Sequence, residues 1–149
     1  MAPIIGLGTH FGLILVYLGG SIGFNSWLIK GFMDTISPSL DEAAKVDGAS
    51  EYQIFSKIII PLARPILVVI FVITFIGIYS DYILAAIFLK DKNLWTVAVG
   101  INTVFIDDFN ADWGVIAASS VIAATPIAAL FVFFQKQITG GLTAGSVKG

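Results

Sequence analysis

Few side chains in this chain have the chemistry to act as catalysts. It has a single histidine, His10, and no cysteine, so a disulfide framework, a thiolate metal site and a histidine-based metal cluster are ruled out. His10 itself reads as an interfacial polar residue. No G-x-x-x-x-G-K-[ST] segment occurs, so there is no P-loop to cradle nucleotide phosphates. Eight Lys and Arg against ten Asp and Glu leave a net charge of −2 with no basic run, which offers a nucleic-acid backbone nothing to bind. Two groups of residues remain. One is the polar stretch containing Ser39-Leu40-Asp41-Glu42-Ala43-Ala44, Gly48 and Ser50-Glu51-Tyr52-Gln53, whose residue types cap helices and pack against surfaces rather than make bonds. The other is a pair of polar residues set in apolar surroundings, Asn25 and Asp81. A charge in hydrocarbon costs about 3 kcal/mol or more unless it is solvated or paired, so Asp81 is a functional-site candidate by default, and Asn25 a weaker one of the same kind. No catalytic, cofactor-binding or metal site is read from this inventory.

The elements that must position these residues follow from composition. Of 149 residues, 57% are hydrophobic and 12% charged, where a soluble domain carries about 25% charged residues. Mean hydropathy is +0.94. Three apolar stretches, Phe11 to Phe32, Pro65 to Leu89 and Val115 to Phe134, reach the length of about 20 helical residues that crosses a bilayer core. They are rich in β-branched residues, but a lone strand in lipid would leave its backbone unpaired, so each is expected to be a helix. The predicted fold is an all-α membrane protein with three transmembrane helices, a polar connection over 34–64, a second around Lys90 to Trp113, and a tail over 135–149.

Lys30, Lys45, Lys57 and Arg64 belong to the first connection, and Lys136 and Lys148 to the tail. In the second connection, Lys90 and Lys92 are offset by Asp91, Asp107, Asp108 and Asp112. The first connection and the tail are therefore expected on the cytoplasmic side, with Trp95 and Trp113 as aromatic anchors at the outer interface. The N-terminus lacks a basic n-region and a cleavage site, so no signal peptide is expected. An odd number of spans with an outward N-terminus suggests further helices upstream. Gly19 and Gly23 form a GxxxG pair, and Ala117, Ala118, Ser119, Ser120, Ala123 and Ala124 form a small-residue zone, both suited to close helix packing. Pro126 is expected to kink the third span.

In the first connection, Ser39 and Glu42 have capping-box spacing, and Ser50 and Gln53 repeat it. Gly48 stands between them as a helix stop. The expected unit is two short helices hinged at Gly48, the second carrying Ile54, Phe55, Ile58 and Ile59 and ending near Pro61. Patterning alone leaves two uses open: an amphipathic hairpin covering the end of the bundle, or a knob that fits a partner's cleft.

Glu42-Ala43-Ala44, three residues, Gly48, nine residues, then Ile58-Ile59-Ile60-Pro61 resembles the EAA loop of the membrane subunits of prokaryotic ABC importers, EAA-x3-G-x9-I-x-L-P. Ile60 replaces the preferred Leu. The segments Trp27 to Ser39, Phe75 to Tyr82 and Gly140 to Gly149 are similar to the MalG-type subunits of carbohydrate importers. The likeness runs along the whole chain but matches only the C-terminal half of such a subunit, which has about six helices. The resemblance implies coupling to a cytoplasmic ABC ATPase dimer through Glu42, Ala43, Ala44, Gly48, Ile58 and Pro61. It further implies a second membrane permease subunit, an extracytoplasmic solute-binding protein, residence in the prokaryotic inner membrane, and import of a sugar such as maltose or maltodextrin. In that family Glu42 would cap its helix and meet a polar group of the ATPase, the glycine-rich tail could reach the ATPase pair, and Asp81 and Asn25 would line the translocation path of a transport subunit that is not itself an enzyme. The alternative is a truncated, transport-inactive fragment of such a permease. An autonomous channel or secondary transporter would call for paired intramembrane charges or inverted repeats, and neither is visible.

Overall fold

The computed structural model describes Gly6, residues 8–107 and residues 113–143. Among these residues every regular element is helical: α1 (His10–Met33), α2 (Pro38–Val46), α3 (Glu51–Tyr79), α4 (Ile83–Phe88), a 3-10 turn at Lys92–Leu94, α5 (Val97–Asp107) and α6 (Trp113–Thr143). Three helices are long and apolar enough to cross a membrane: α1, α3, and the Trp113–Gln137 stretch of α6. Large apolar side chains on all three stay exposed, among them Trp27, Ile122 and Phe133. In water such surface would be a liability, whereas lipid or neighbouring helices satisfy it. Hydroxyls on α6 are satisfied within the helix: Ser119 donates to the Val115 carbonyl at 2.7 Å, Ser120 to Ile116 at 2.9 Å and Thr125 to Val121 at 2.8 Å. Pro126 lies inside the continuous α6.

The described residues form two compact units, one of those within 1–22 and 73–133 and one of those within 23–72 and 134–143. In the first, Leu13, Ala85, Leu89 and Val99 form the buried core, with Tyr17, Phe88, Leu94 and Trp95 packed around it. The start of α1 is fixed by side-chain capping. Thr9 Oγ1 accepts the Gly12 amide at 3.1 Å and donates its own proton to the Gly6 carbonyl at 2.9 Å. A Cβ at Gly12 would collide with that carbonyl, which accounts for glycine there. The Gly8 amide donates to the Phe88 carbonyl at 2.8 Å and His10 Nε2–H to the Leu94 carbonyl at 2.9 Å. His10 thus ties α1 to the 3-10 turn, where Lys92 sits 5.6 Å from the Trp95 ring centre. In the second unit Ile54, Ala63, Ile70 and Val72 are buried, and Phe71 meets Phe134 edge to face at 5.8 Å.

Several boundaries differ from the sequence reading. The helix expected over 65–89 stops at Tyr79, and Ile83–Phe88 is a separate helix. Asp81 sits at the break and bonds across it. Its Oδ1 accepts the Ile83 and Leu84 amides at 3.0 and 3.4 Å, and its Oδ2 accepts the Tyr17 hydroxyl at 2.7 Å. Asp81 therefore caps a helix at an interruption and does not lie inside a span, as its apolar neighbours suggest. The 34–64 connection is shorter than expected, because α3 begins at Glu51 and runs through Pro61 and Pro65 into the span. A π turn at Phe55–Ile59 makes this possible, with the Ile60 amide reaching back to the Phe55 carbonyl. Proline in a regular helix loses a donor and its ring strikes the carbonyl four residues back, and the wider turn just before Pro61 relieves that crowding.

The capping box read at Ser39 and Glu42 does not form. Pro38 takes the first position of α2, where its fixed φ and missing N–H are favourable, so Ser37 becomes the N-cap and the Ser39 hydroxyl pairs with Ser37 Oγ at 2.8 Å. Within the second connection residues 97–107 are helical, and α6 carries helix from 135 to 143 of the expected tail. Asp108, Asp112, Lys148 and the segment Ala144 to Gly149 lie outside the described residues.

If Asp81 holds this break, Asp81→Leu strands three donors and destabilises the protein by about 2–4 kcal/mol, whereas Asp81→Asn stays within about 1 kcal/mol of the parent. Denaturant unfolding in detergent measures both, and equal stability of Asp81→Leu and the parent would contradict the assignment.

Candidate functional site

The helical hairpin over 38–61 brings together the largest set of residues read from the sequence as functional. Its turn is a Schellman motif. The Gly48 amide bonds the Lys45 carbonyl and the Ala49 amide bonds the Ala44 carbonyl, each at 3.0 Å. Gly48 has φ +79° with open space around its missing Cβ, so the left-handed backbone alone requires glycine there. The next helix starts with a complete capping box. The Ser50 amide donates to Gln53 Oε1 at 2.8 Å and the Gln53 amide to Ser50 Oγ at 3.3 Å.

Lys45 then joins the two arms. Its Nζ lies 2.8 Å from Asp41 Oδ2 in its own helix and 3.2 Å from Glu51 Oε1 across the turn. The hydrogen bond to Asp41, followed by that to Glu51, holds the Lys45 ammonium above the ordinary lysine range. A raised lysine pKa means that the clasp contributes fully at pH values below the unfolded pKa and is lost as pH climbs through the folded one.

The motif residues divide by exposure. Ala44 is buried inside the hairpin, Ile54 beneath it is 3% exposed, and Ile58 is half-buried. Glu42, Ala43 and Pro61 face outward. Beside them stand Val46 at 88% and Tyr52 at 76% exposure, flanking the turn. The sequence reading singles out neither: it gives Val46 no role, and Tyr52 stands only as an internal position of the second capping box. An apolar side chain in the last turn before a Schellman glycine is the signal that marks Val46. Of the candidate path residues, Asp81 is engaged by Tyr17 and two amides in one unit, and Asn25 lies half-buried on α1 in the other.

Gly48→Ala should weaken the hairpin by about 1 kcal/mol and Ser50→Ala by about 0.5–2 kcal/mol. Nitroxides at positions 46 and 52, introduced as cysteines into the cysteine-free chain, report this as a broadened distance distribution. The same pair should keep its distance from pH 6 to 9 and loosen only above about pH 10.5, where an ordinary lysine loses its proton. Loosening at neutral pH would contradict the Lys45 clasp.

Comparison with known proteins agrees with this architecture. Residues 2–142 match the family described as binding-protein-dependent transport system inner membrane component. The chain is 45% identical over 147 residues to the maltose/maltodextrin transport system permease protein MalG of Photorhabdus laumondii, 46% to that of Vibrio vulnificus and 44% to that of Escherichia coli K12. Each alignment covers 99% of this chain and 49% of the relative, so the chain spans about half the length of the curated relatives it matches. With three membrane-length helices and the 38–61 hairpin leading into the second, the chain belongs to the family of inner membrane components of binding-protein-dependent transport systems.

Proposed function

We propose that this chain is the part of a sugar importer's permease that receives force from an ATPase and passes it to the membrane helices. The observation that carries the proposal is the covalent continuity of the hairpin with a span: α3 starts at the capping box of Ser50 and ends at Tyr79, 29 helical residues later. A push on the Gly48 turn acts on the span through hydrogen-bonded helix rather than through a loop. Glu42, Ala43 and Val46 supply the exposed face. A small side chain at 43 admits close approach, and Glu42 is free of the capping duty assigned to it from sequence, leaving it for a polar group of the partner. Gly48, Ala44, Ile58 and Pro61 act by shaping the hairpin.

The chain has no P-loop, so ATP hydrolysis belongs to a cytoplasmic ATPase pair. The positive bias of the first connection and of Lys136 puts the hairpin and the end of α6 on the cytoplasmic side. A second membrane subunit and an extracytoplasmic binding protein complete the assembly. The names of the relatives favour maltose or maltodextrin as cargo. Asn25 in one unit is a candidate path residue, and so, separately, is Asp81 in the other, where it holds the break between α3 and α4.

Co-purification with the cognate ATPase tests the coupling role. Val46→Asp places a charge in the proposed contact and should cost about 2 kcal/mol or more, about 30-fold in Kd. Gly48→Pro, which cannot adopt the left-handed turn, should abolish retention. Equal retention of the parent and both variants would refute docking through this hairpin.

A further inference from the structure

From Tyr52 to Tyr79 the sequence of α3 holds two cations, Lys57 and Arg64, and no acid. Both side chains are exposed, and neither forms an ion pair among the described residues. Nearby acids are already engaged: Asp34 pairs with Lys30, and Asp41 and Glu51 share Lys45. Glu42 and Asp47 belong to α2 and its cap. Two positive charges are thus left at the foot of a membrane-length helix.

Arg64 has apolar neighbours on its own face. Ile60, Arg64, Leu67 and Phe71 follow the three- and four-residue spacing of one helix face, and Ile60, Leu67 and Phe71 are 42%, 39% and 50% exposed. Lys57 precedes Ile60 by three residues, within the π turn. The buried residues Ala63 and Ile70 lie off this stripe. At about 1.5 Å per residue, Leu67 and Phe71 stand about 5 and 10 Å further into the span than Arg64. The stripe therefore runs from cationic at the helix's entry to apolar within it.

A phospholipid has the same order, with a phosphate at headgroup level and acyl chains beneath. Lysine and arginine near a helix end extend toward the interface while their stems stay in apolar surroundings, and the arginine fork fits phosphate oxygens. A zwitterionic headgroup brings its own ammonium and gains little from two more cations, whereas an anionic one is drawn to them. A protein helix seated here would have to place acids at the edge of the hydrocarbon to match both charges, which is costly.

We infer that the stripe of Lys57, Ile60, Arg64, Leu67 and Phe71 is a docking surface for an anionic phospholipid, its phosphate held by the two cations and an acyl chain laid along Leu67 and Phe71. A lipid bound there fixes the depth at which α3 enters the bilayer. The cytoplasmic placement of the hairpin proposed above assigns this lipid to the cytoplasmic leaflet; the surface itself is independent of the coupling role.

The test places the importer assembled with this chain in nanodiscs of equal parts phosphatidylglycerol and phosphatidylcholine, one of the two carrying a diazirine on its acyl chain. Crosslinks on the peptide containing Leu67 and Phe71 are counted by mass spectrometry. Phosphatidylglycerol should label this peptide about tenfold more than phosphatidylcholine. Lys57→Gln combined with Arg64→Gln should remove the preference, and Lys57→Arg combined with Arg64→Lys should keep it. Inorganic phosphate added at constant ionic strength should leave it unchanged. Equal labelling of the parent by the two lipids overturns the inference, as does a preference that survives the glutamine pair. Loss of the preference to inorganic phosphate also overturns it, as the mark of a site for a soluble anion. So does a peptide that neither lipid labels, because another helix then covers the stripe. Retention of the ATPase is scored on the same samples, and retained ATPase without a lipid preference removes this site alone.

Discussion

A backbone placed in hydrocarbon has to satisfy its own amides and carbonyls, and this constraint explains where the chain departs from regular helix. Each departure is accompanied by a replacement for the lost hydrogen bonds. At Pro61 the replacement is a change of helix type, the π turn of Phe55–Ile59. Between α3 and α4 it is a carboxylate, with Asp81 accepting two amides and the Tyr17 hydroxyl. Asp81 is the costlier of these devices, since it brings a charge to an apolar region. Three donors on one carboxylate offset that cost and turn the charge into a hinge point between two helices.

Outside the spans, local hydrogen bonds make the hairpin stiff. Its turn, its second helix start and its clasp are each closed by identified bonds, at Gly48, at Ser50 with Gln53, and at Lys45 with Asp41 and Glu51. A clasp of exposed ion pairs adds little energy. Its value is geometric, because it restrains the angle between the arms where the turn alone would permit motion. Buried Ala44 and Ile54 fill the space beneath, which leaves Glu42, Ala43, Val46 and Tyr52 as the outward surface. One set of motif residues builds the knob and a different set is available to touch a partner.

Much of this was legible in the sequence. Apolar runs of membrane length identified three helices, and the spacing of Gly48 between two polar cap patterns located the hairpin turn. The Ser50 and Gln53 box formed as read. The errors arose where one local rule outranked another. Ser39 and Glu42 have the spacing of a capping box, but Pro38 one residue earlier is a stronger helix start, and the frame moved to Ser37. Pro61 read as the end of one helix and Pro65 as the start of the next, yet the π turn before Pro61 lets a single helix run through both. Asp81 looked like a charge within a span because its neighbours are apolar, and only its partner Tyr17, 64 residues away in sequence, shows that the helix ends there.

The central claim is that the hairpin and the span of α3 move as one lever. The most direct measurement is the distance between nitroxides at Asp47 and Leu67, taken in the assembled importer without nucleotide and with ATP trapped. The account predicts a narrow distribution with the same mean in both states. A mean that shifts with nucleotide, or a distribution that broadens, would show that the hairpin bends on its stem and would contradict transmission through a continuous helix.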